Sequence, residues 1–460
     1  MKTKSIGAVA VTIGVAMGVA VAAPAERSAG RMVGVNVVLK QDVTDAVLAD
    51  IGRYGKVRDV ITEIDALTLQ AREADLPRIR ALPYVAAANP DATRNGAPVD
   101  TVAVTDFANG LSTWDLDAVN VTDYGSGSRT VRYDGSGVYV AVLDTGLLDS
   151  WRQYFPEQRI AVEHARSFGG GGGEVGFVSS QPNKWQHDQD SHGTHVTSTI
   201  LGYSLRGTPV NGVAPLATVI PVKVLNQNGS GWSSVIARGI VYVADLKLDG
   251  VIDGPVVINM SLGGPVLDAV EQAAIDYAID AGVIVVASAG NRGLAGMGYP
   301  GAYPPVISVA ASGWVGEWQP PGNRGWWNDT DVADPTSTDD FYIAGFSSRQ
   351  LAGQDLDVAA PGSSVVGPYQ VNSGQTSYYF LGGTSMAAPH VAGIAALMLQ
   401  KNGSLEQSDV EGILEGSAIH FPSGCRDVSN SVGVVSNVCW GEDATGAGLA
   451  TADAALGATP

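Results

Sequence analysis

Cysteine is nearly absent from this chain of 460 residues; there are two, Cys425 and Cys439, fourteen positions apart. No CxxC pair occurs, which argues against a thiolate metal site. In an exported chain such a pair reads as one local disulfide closing a surface loop, the other reading being two buried free thiols. Charge is also sparse, at 16% of residues, and lopsided: 27 Lys and Arg against 46 Asp and Glu give a formal net charge of −19. That surface repels phosphates and disfavours a nucleic-acid role. Its plain use is solubility, with adaptation to salt as a second reading. Beyond the N-terminus no apolar run is long enough to cross a bilayer. What is plentiful is apolar residues, at 45%, and glycine, with 58 copies. A sizeable core and many tight turns or close backbone approaches follow.

The first 25 residues carry the marks of export. Lys2 and Lys4 form a short basic start, residues 6–22 are apolar and uncharged, and Val21-Ala22-Ala23-Pro24-Ala25 offers small side chains for signal peptidase. Cleavage after Ala23 or Ala25 is expected, and an uncleaved anchor is the alternative. Residues 26–91 read as a small α+β unit. It combines an alternating stretch over 33–39, helical spacing of Val47, Leu48 and Ile51, and an extended stretch over 61–69. A short helix over 73–82 tolerates Pro77 near its start, and a last strand covers 84–88. The order β-α-β-β-α-β is ferredoxin-like. Residues 92–112 turn polar and read as a linker.

From 113 to 460 apolar strand-like runs alternate with helical stretches. The runs lie at 138–143, 219–225, 256–260, 284–287 and 306–310; helices are expected over 232–248 and 267–281. Near-continuous apolar strands suit a parallel sheet covered on both faces, so the class is α/β, a doubly wound and mostly parallel sheet. Two stretches look like loop insertions, the glycine run 169–173 and the segment 314–340. Asp329, Asp331, Asp334, Asp339 and Asp340 in the latter could collect a calcium ion through hard oxygen ligands. Their spacing matches no dedicated calcium loop, and a solvated acidic loop is the better reading.

Three short segments carry the chemistry. Asp144 ends the apolar run Val140-Ala141-Val142-Leu143 and is followed by Thr145-Gly146, which places a carboxylate at the C-terminal edge of a sheet. The chain has six histidines, and His192 and His195 lie three apart in Asp190-Ser191-His192-Gly193-Thr194-His195-Val196. Metal ligation is one reading, but no third ligand has helical spacing nearby; general-base work by one His is the other. Ser191 is expected to cap a helix starting near His192. The third segment is Gly382-Gly383-Thr384-Ser385-Met386-Ala387-Ala388-Pro389-His390-Val391-Ala392-Gly393. Here Ser385 opens a long helix, whose N-terminus favours developing negative charge.

These segments, in the order Asp, His, Ser, resemble the catalytic motifs of the subtilisin-like serine protease family, peptidase S8. Further likenesses run from about Trp114 to Leu456: Asn211-Gly212-Val213-Ala214-Pro215, Val257-Ile258-Asn259-Met260-Ser261-Leu262-Gly263-Gly264, Ala289-Gly290-Asn291, Gly298-Tyr299-Pro300 and Asp357-Val358-Ala359-Ala360-Pro361-Gly362. The resemblance implies a catalytic triad of Asp144, His192 and Ser385, with Asn291 and the Ser385 N–H receiving the oxyanion. It implies substrate binding by strand addition between Gly229-Ser230-Gly231 and Ser261-Leu262-Gly263. Gly298 would open the primary pocket to large apolar side chains, and Arg292 at its mouth would disfavour basic ones. Residues 26–91 then resemble an inhibitory propeptide, the maturation cut falling between about Asn89 and Ser112. No cofactor is implied for the chemistry; a structural calcium is, without assignable ligands. The expected protein is a secreted, monomeric, self-processing endopeptidase acting on proteins or peptides, free of membrane and nucleic acid. A narrow processing protease, a non-catalytic peptide binder and a metal hydrolase are the competing readings.

Overall fold

The computed structural model describes residues 30–96, 100–103, 113–123, 129–168, 181, 183–205, 207–318, 332, 334–370 and 376–460. The export segment, the glycine run 169–173 and two of the five loop aspartates, Asp329 and Asp331, lie outside these residues.

The N-terminal unit has the element order read from the sequence. Strand β1 (Met32–Leu39), helix α1 (Asp45–Ile51), β2 (Gly55–Ile61), β3 (Ala66–Arg72), α2 (Leu76–Arg80) and β4 (Val85–Pro90) form an antiparallel sheet ordered β2-β3-β1-β4. Thr44 caps α1 by accepting from the Val47 N–H at 3.3 Å. Alternation does the rest: Val35 and Val37 of β1 lie opposite Leu69 and Leu67 of β3, and all four are fully buried. The stretch 61–69, read as one extended segment, is two strands. A single turn over Thr62–Ile64 and Asp65, with φ of 46°, reverses the chain between Ile61 and Ala66. Asp is one of the residues that enter this region at tolerable cost, which hid the break.

The polar stretch after it is no free connector. It carries β5 (Thr93–Asn95) and β6 (Asp100–Ala103), both paired to the larger unit. Neither had a legible pattern, because each is a short edge strand whose partner lies far along the chain.

The larger unit is a parallel sheet with helices on both faces. Its strands are β7 (Tyr139–Asp144), β8 (Arg166–Ser167), β11 (Thr218–Lys223), β13 (Val256–Met260), β14 (Val283–Ser288), β15 (Ile307–Trp314), β16 (Phe341–Ile343) and β17 (Val358–Pro361). A hairpin, β9 (Gly202–Leu205) with β10 (Thr208–Asn211), and the short β12 (Ser230–Trp232) stand outside it. The order is β16-β15-β14-β13-β7-β11-β8, with β17 also on β15, and only the β15–β16 pair is antiparallel. Helices α4 (His192–Leu201) and α7 (Thr384–Lys401) cover the face carrying Val140, Val142, Val257 and Val286. On the other face Ala141, Leu143, Ile258 and Val285 pack under α5 (Ser233–Leu248) and α6 (Ala269–Asp280). This two-sided burial is why the strands read as unbroken apolar runs. Short α3 (Trp114–Ala118) opens the unit.

The chain closes with an outer pair, β18 (Val365–Gln370) and β19 (Thr376–Gly382), then α8 (Gln407–Ser417), the hairpin of β20 (Gly424–Ser429) and β21 (Val435–Trp440), and α9 (Ala452–Ala458). Cys425 and Cys439 are cross-strand partners in that hairpin and form the expected disulfide. No helix among the described residues is long and apolar enough to cross a membrane.

Candidate active site

The sheet order reverses direction around β7, whose two neighbours β11 and β13 lead the chain away to opposite sides. Side chains at the C-terminal ends of such strands meet in one crevice. Asp144, the last residue of β7, is fully buried there. His192, first residue of α4 and also fully buried, faces it: both carboxylate oxygens lie 2.9 Å from Nδ1. This bond fixes the tautomer that leaves Nε2 free to act as a base. Nε2 has no hydrogen-bond partner among the described residues.

Ser191 does not cap α4 as expected. It holds the N-cap position with φ of 76°, but its hydroxyl accepts from the Gln370 N–H at 2.7 Å and donates to the Asp190 carbonyl. The Asp190 carboxylate caps instead, accepting from the His192 N–H at 3.2 Å. A left-handed backbone at Ser191 turns its own side chain away from the helix start. Beneath the pair lie groups that sequence reasoning missed. Asp188 accepts from Thr145 Oγ1 at 2.9 Å, and Lys223 donates Nζ to the Thr145 carbonyl. Burial pushes the Asp188 carboxyl up to about 7, against the pull of Lys223. Burial pushes the His192 imidazole down; the Asp144 carboxylate, by charge and hydrogen bond, together with Asp190 and Asp188, more than offsets this and holds it above 6.5.

Ser385 occupies the second position of α7, where a backbone N–H has no partner within the helix. Its hydroxyl donates to the Ser261 carbonyl at 3.2 Å, so in this structure it points beside His192 Nε2 rather than at it. Pro389 explains a second contact. Lying four residues on, it has no N–H for the Ser385 carbonyl, and Ser261 Oγ fills that place, donating at 2.7 Å. The nucleophile turn is thereby stitched to the end of β13. Met386 and His390 extend the link: His390 bonds the Met386 carbonyl through Nδ1 and Asp115 Oδ2 of α3 through Nε2, each at 2.9 Å.

Asn291 follows β14 in the turn Ala289-Gly290-Asn291. Its Oδ1 accepts from both the N–H and the hydroxyl of Thr384, each at 2.9 Å. With the carbonyl side thus held, the amide NH₂ is turned toward the Ser385 side of the crevice. Thr384 is a second residue missed from the sequence, where it read only as part of the motif.

A strand of this chain lies between the two segments expected to bind substrate, Gly229-Ser230-Gly231 and Ser261-Leu262-Gly263. Asn95 exchanges bonds with Gly263, N–H to O 3.1 Å and O to N–H 3.0 Å, while β5 pairs antiparallel with β12. The Gly96 N–H donates to the Gly229 carbonyl at 2.8 Å. A Cβ on Gly96 would meet His192 Cε1 at 3.2 Å and the Ser261 carbonyl oxygen at 2.8 Å, so residue 96 lies against the imidazole. Beyond Gly263, Gly264 and Tyr299 exchange backbone bonds at 2.9 and 2.7 Å and set a slot walled by Gly298. A Cβ on Gly298 would point at the Gly264 backbone, 3.5 Å away, and narrow it. Leu262 faces inward, 1% exposed, under that wall. Arg292 is exposed and donates to the Ala295 carbonyl at 3.1 Å.

His195 is not a partner of His192. Its Nε2 lies 3.1 Å from the Val365 carbonyl, and burial, with the His192 charge, drives its pKa down to about 3. No histidine joins a three-ligand cluster among the described residues. The metal-hydrolase reading has no geometric support there. The acidic cluster that does form is Asp355, Asp357 and Glu411, whose oxygens lie within 4.8 Å of one another.

A buried acid–imidazole pair, a serine at a helix start and a fixed amide beside it are the arrangement of a serine hydrolase. The subtilase family profile matches residues 135–453, and the chain belongs to that family. Over 295 residues it is 36% identical to subtilisin from Bacillus pumilus, covering 63% of this chain and 87% of that one. It is 37% identical over 293 residues to subtilisin DY from Bacillus licheniformis, with 63% and 86% covered. Against subtilisin E from Bacillus subtilis the match is 36% identical and spans 62% of that protein's length. Among solved structures, Sphericase superposes with a TM-score of 0.53 at 28% identity, over 75% of this chain and 99% of that one. Fervidolysin from Fervidobacterium pennivorans, a keratinolytic enzyme related to subtilisin, gives 0.63 at 24% identity, over 93% and 61%, and shows the shared fold.

Asn291→Ala is expected to lower kcat by ~10²–10³-fold with little change in KM, the range established for the matching group of subtilisin itself. Single-turnover kinetics of a peptide ester check this. As the expected base, His192 would work only when neutral, so its raised pKa is expected to move the acid limb of kcat/KM to higher pH. Asp190→Asn keeps the helix cap but removes a charge, and a pH profile is expected to show that limb moved to lower pH.

Proposed function

We propose that the protein is a secreted, self-processing serine endopeptidase that cleaves protein chains through an acyl-enzyme. The observation that carries this is the pose of residues 93–96 between the two edge strands, with Gly96 against the His192 ring. An extended chain that pairs on both sides in front of a triad is how such a site holds substrate. In the reaction Ser385 Oγ swings from the Ser261 carbonyl to His192 Nε2 and yields its proton as it attacks. Asn291 and the Ser385 N–H hold the oxyanion, and the imidazolium then protonates the leaving amine.

In the same reading residues 26–91 are the inhibitory propeptide and 113–460 the monomeric catalytic domain. The N-terminal sheet lies on α5 and α6, with Ile61 and Ala66 entering their core and Asp59 paired to Arg238 at 2.9 Å. Asn36, Asp91, Ser233 and Asp268 form a buried polar knot across the contact, Asn36 Nδ2 reaching Asp91 at 3.1 Å and Asp268 at 2.9 Å. The 93–96 strand fills the side of the cleft before the nucleophile, so the maturation cut falls after Gly96 and before Ser112. The large apolar side chains expected in the slot at Gly298 belong to this proposal too.

A structural calcium fits Asp355, Asp357 and Glu411. Asp357 is fully buried with Oδ1 unpartnered, and burial pushes its carboxyl up to about 7, a state that a cation would relieve. It would steady the loop before β17 and take no part in the chemistry.

Intact mass of the expressed chain beside Ser385→Ala tests the central reading. Wild type is expected to shorten to a start between residues 97 and 112, and the variant to keep its N-terminal unit. Equal processing of both, with no cleavage of casein, would leave a peptide-binding relative as the better account. For the cation, a chelator is expected to lower the Tm of wild type and calcium to restore it, with neither effect in Asp357→Asn.

A further inference from the structure

Arg94 is fully buried, an unusual fate for a guanidinium in a segment that a protease is to discard. It projects from the strand in the cleft, opposite Gly231, into a pocket where the larger unit supplies Glu271 and the Val266 carbonyl. At the end of that pocket is Glu271, the third residue of α6, itself 1% exposed. Arg94 Nε lies 3.0 and 3.2 Å from the two carboxylate oxygens, and Nη2 bonds one of them as well. Nη2 also donates to the Val266 carbonyl at 3.2 Å, and Nη1 to the Thr93 carbonyl at 3.0 Å. A Cβ on Gly264 would come within 3.0 Å of Nη1, so the lack of a side chain there opens the pocket.

We infer that Glu271 makes this subsite an arginine-selective pocket, so that the mature enzyme prefers substrates with Arg four residues before the cut. The inference rests on the proteolytic reading above and deepens it. We place position 96, which lies against His192 and donates its N–H to the Gly229 carbonyl, second before the bond, which makes Arg94 the fourth. Strand pairing fixes which way each side chain points, so a substrate paired with Gly231 in this register sends its own fourth residue into the same pocket. Glu271 stays behind when residues 93–96 leave. Its carboxylate then lacks its partner, and a guanidinium that grips two oxygens and the Val266 carbonyl restores it better than the single point charge of Lys. The net charge of −19 also draws basic peptides to the surface.

The test uses the mature enzyme and four fluorogenic peptides that differ only at the fourth residue before the cut: Arg, Lys, citrulline or Leu. Citrulline keeps the shape of Arg without its charge. Wild type is expected to favour Arg over citrulline by at least ~30-fold in kcat/KM, the low end for losing one member of a buried charge pair, with Lys between them. In Glu271→Gln the Arg advantage is expected to fall below ~3-fold, with an unchanged Tm of the mature enzyme reporting intact folding. A wild type that cleaves all four alike overturns the subsite and leaves the protease standing, as does an Arg preference that survives in Glu271→Gln. A wild type that cleaves none of them overturns both.

Discussion

The parallel register between β7 and β13 is the constraint on which the site depends. Val257 lies opposite Val140 and Asn259 opposite Val142. Two strands ~4.8 Å apart therefore end side by side, one delivering Asp144 and the other Ser261. Asp144 fixes His192, and Ser261 fixes the nucleophile turn through both its hydroxyl and its carbonyl. A slip of one residue would send Asp144 to the other face of the sheet and undo both at once. The apolar alternation on the two faces is what forbids the slip. The core is thus the positioning device for the chemistry.

Around this frame several polar groups hold the site in place. The bonds that hold the triad come from backbone as much as from side chains: the Ser261 carbonyl, the Ser385 carbonyl vacated by Pro389, and the Thr145 carbonyl taken by Lys223. Buried charge gathers beneath the expected triad, at the knot of Asp91 and Asp268, and in the Arg94–Glu271 pair, each with a counter-charge or a dense set of donors. Burial pushes Asp91 up to about 6, with Asp268 adding to the effect, so the knot is a crowded contact held by donated hydrogen bonds.

The same cleft serves two partners in this account. The strand 93–96 and a substrate make the same backbone bonds, and what distinguishes them is the folded unit attached to the former. That unit adds the β1–β4 sheet on α5 and α6, which no extended peptide brings. On the proposed reading, inhibition and specificity would follow from one geometry, with residues 93–96 displaying which side chains the subsites hold.

The sequence by itself determined the α/β class and the order of the central strands, and it pointed to Asp144, His192 and Ser385 as the candidate triad. The apolar runs and the spaced motifs are local, and each reports directly on burial or on a turn. It also marked Asn291, the edges at Gly229-Ser230-Gly231 and Ser261-Leu262-Gly263, and the cysteine pair. What only the tertiary structure decided are contacts between distant segments that have no local pattern. Ser191 looked like a helix cap until its left-handed backbone gave that task to Asp190. Residues 93–96 looked like linker, since an edge strand takes its partner from elsewhere. Glu271 and Arg94 carried no signal in the sequence, since an acid in a helix's first turn and an arginine in a polar stretch are both ordinary. Their meeting across 177 residues depends on the whole sheet being folded between them, and no spacing in the chain records it.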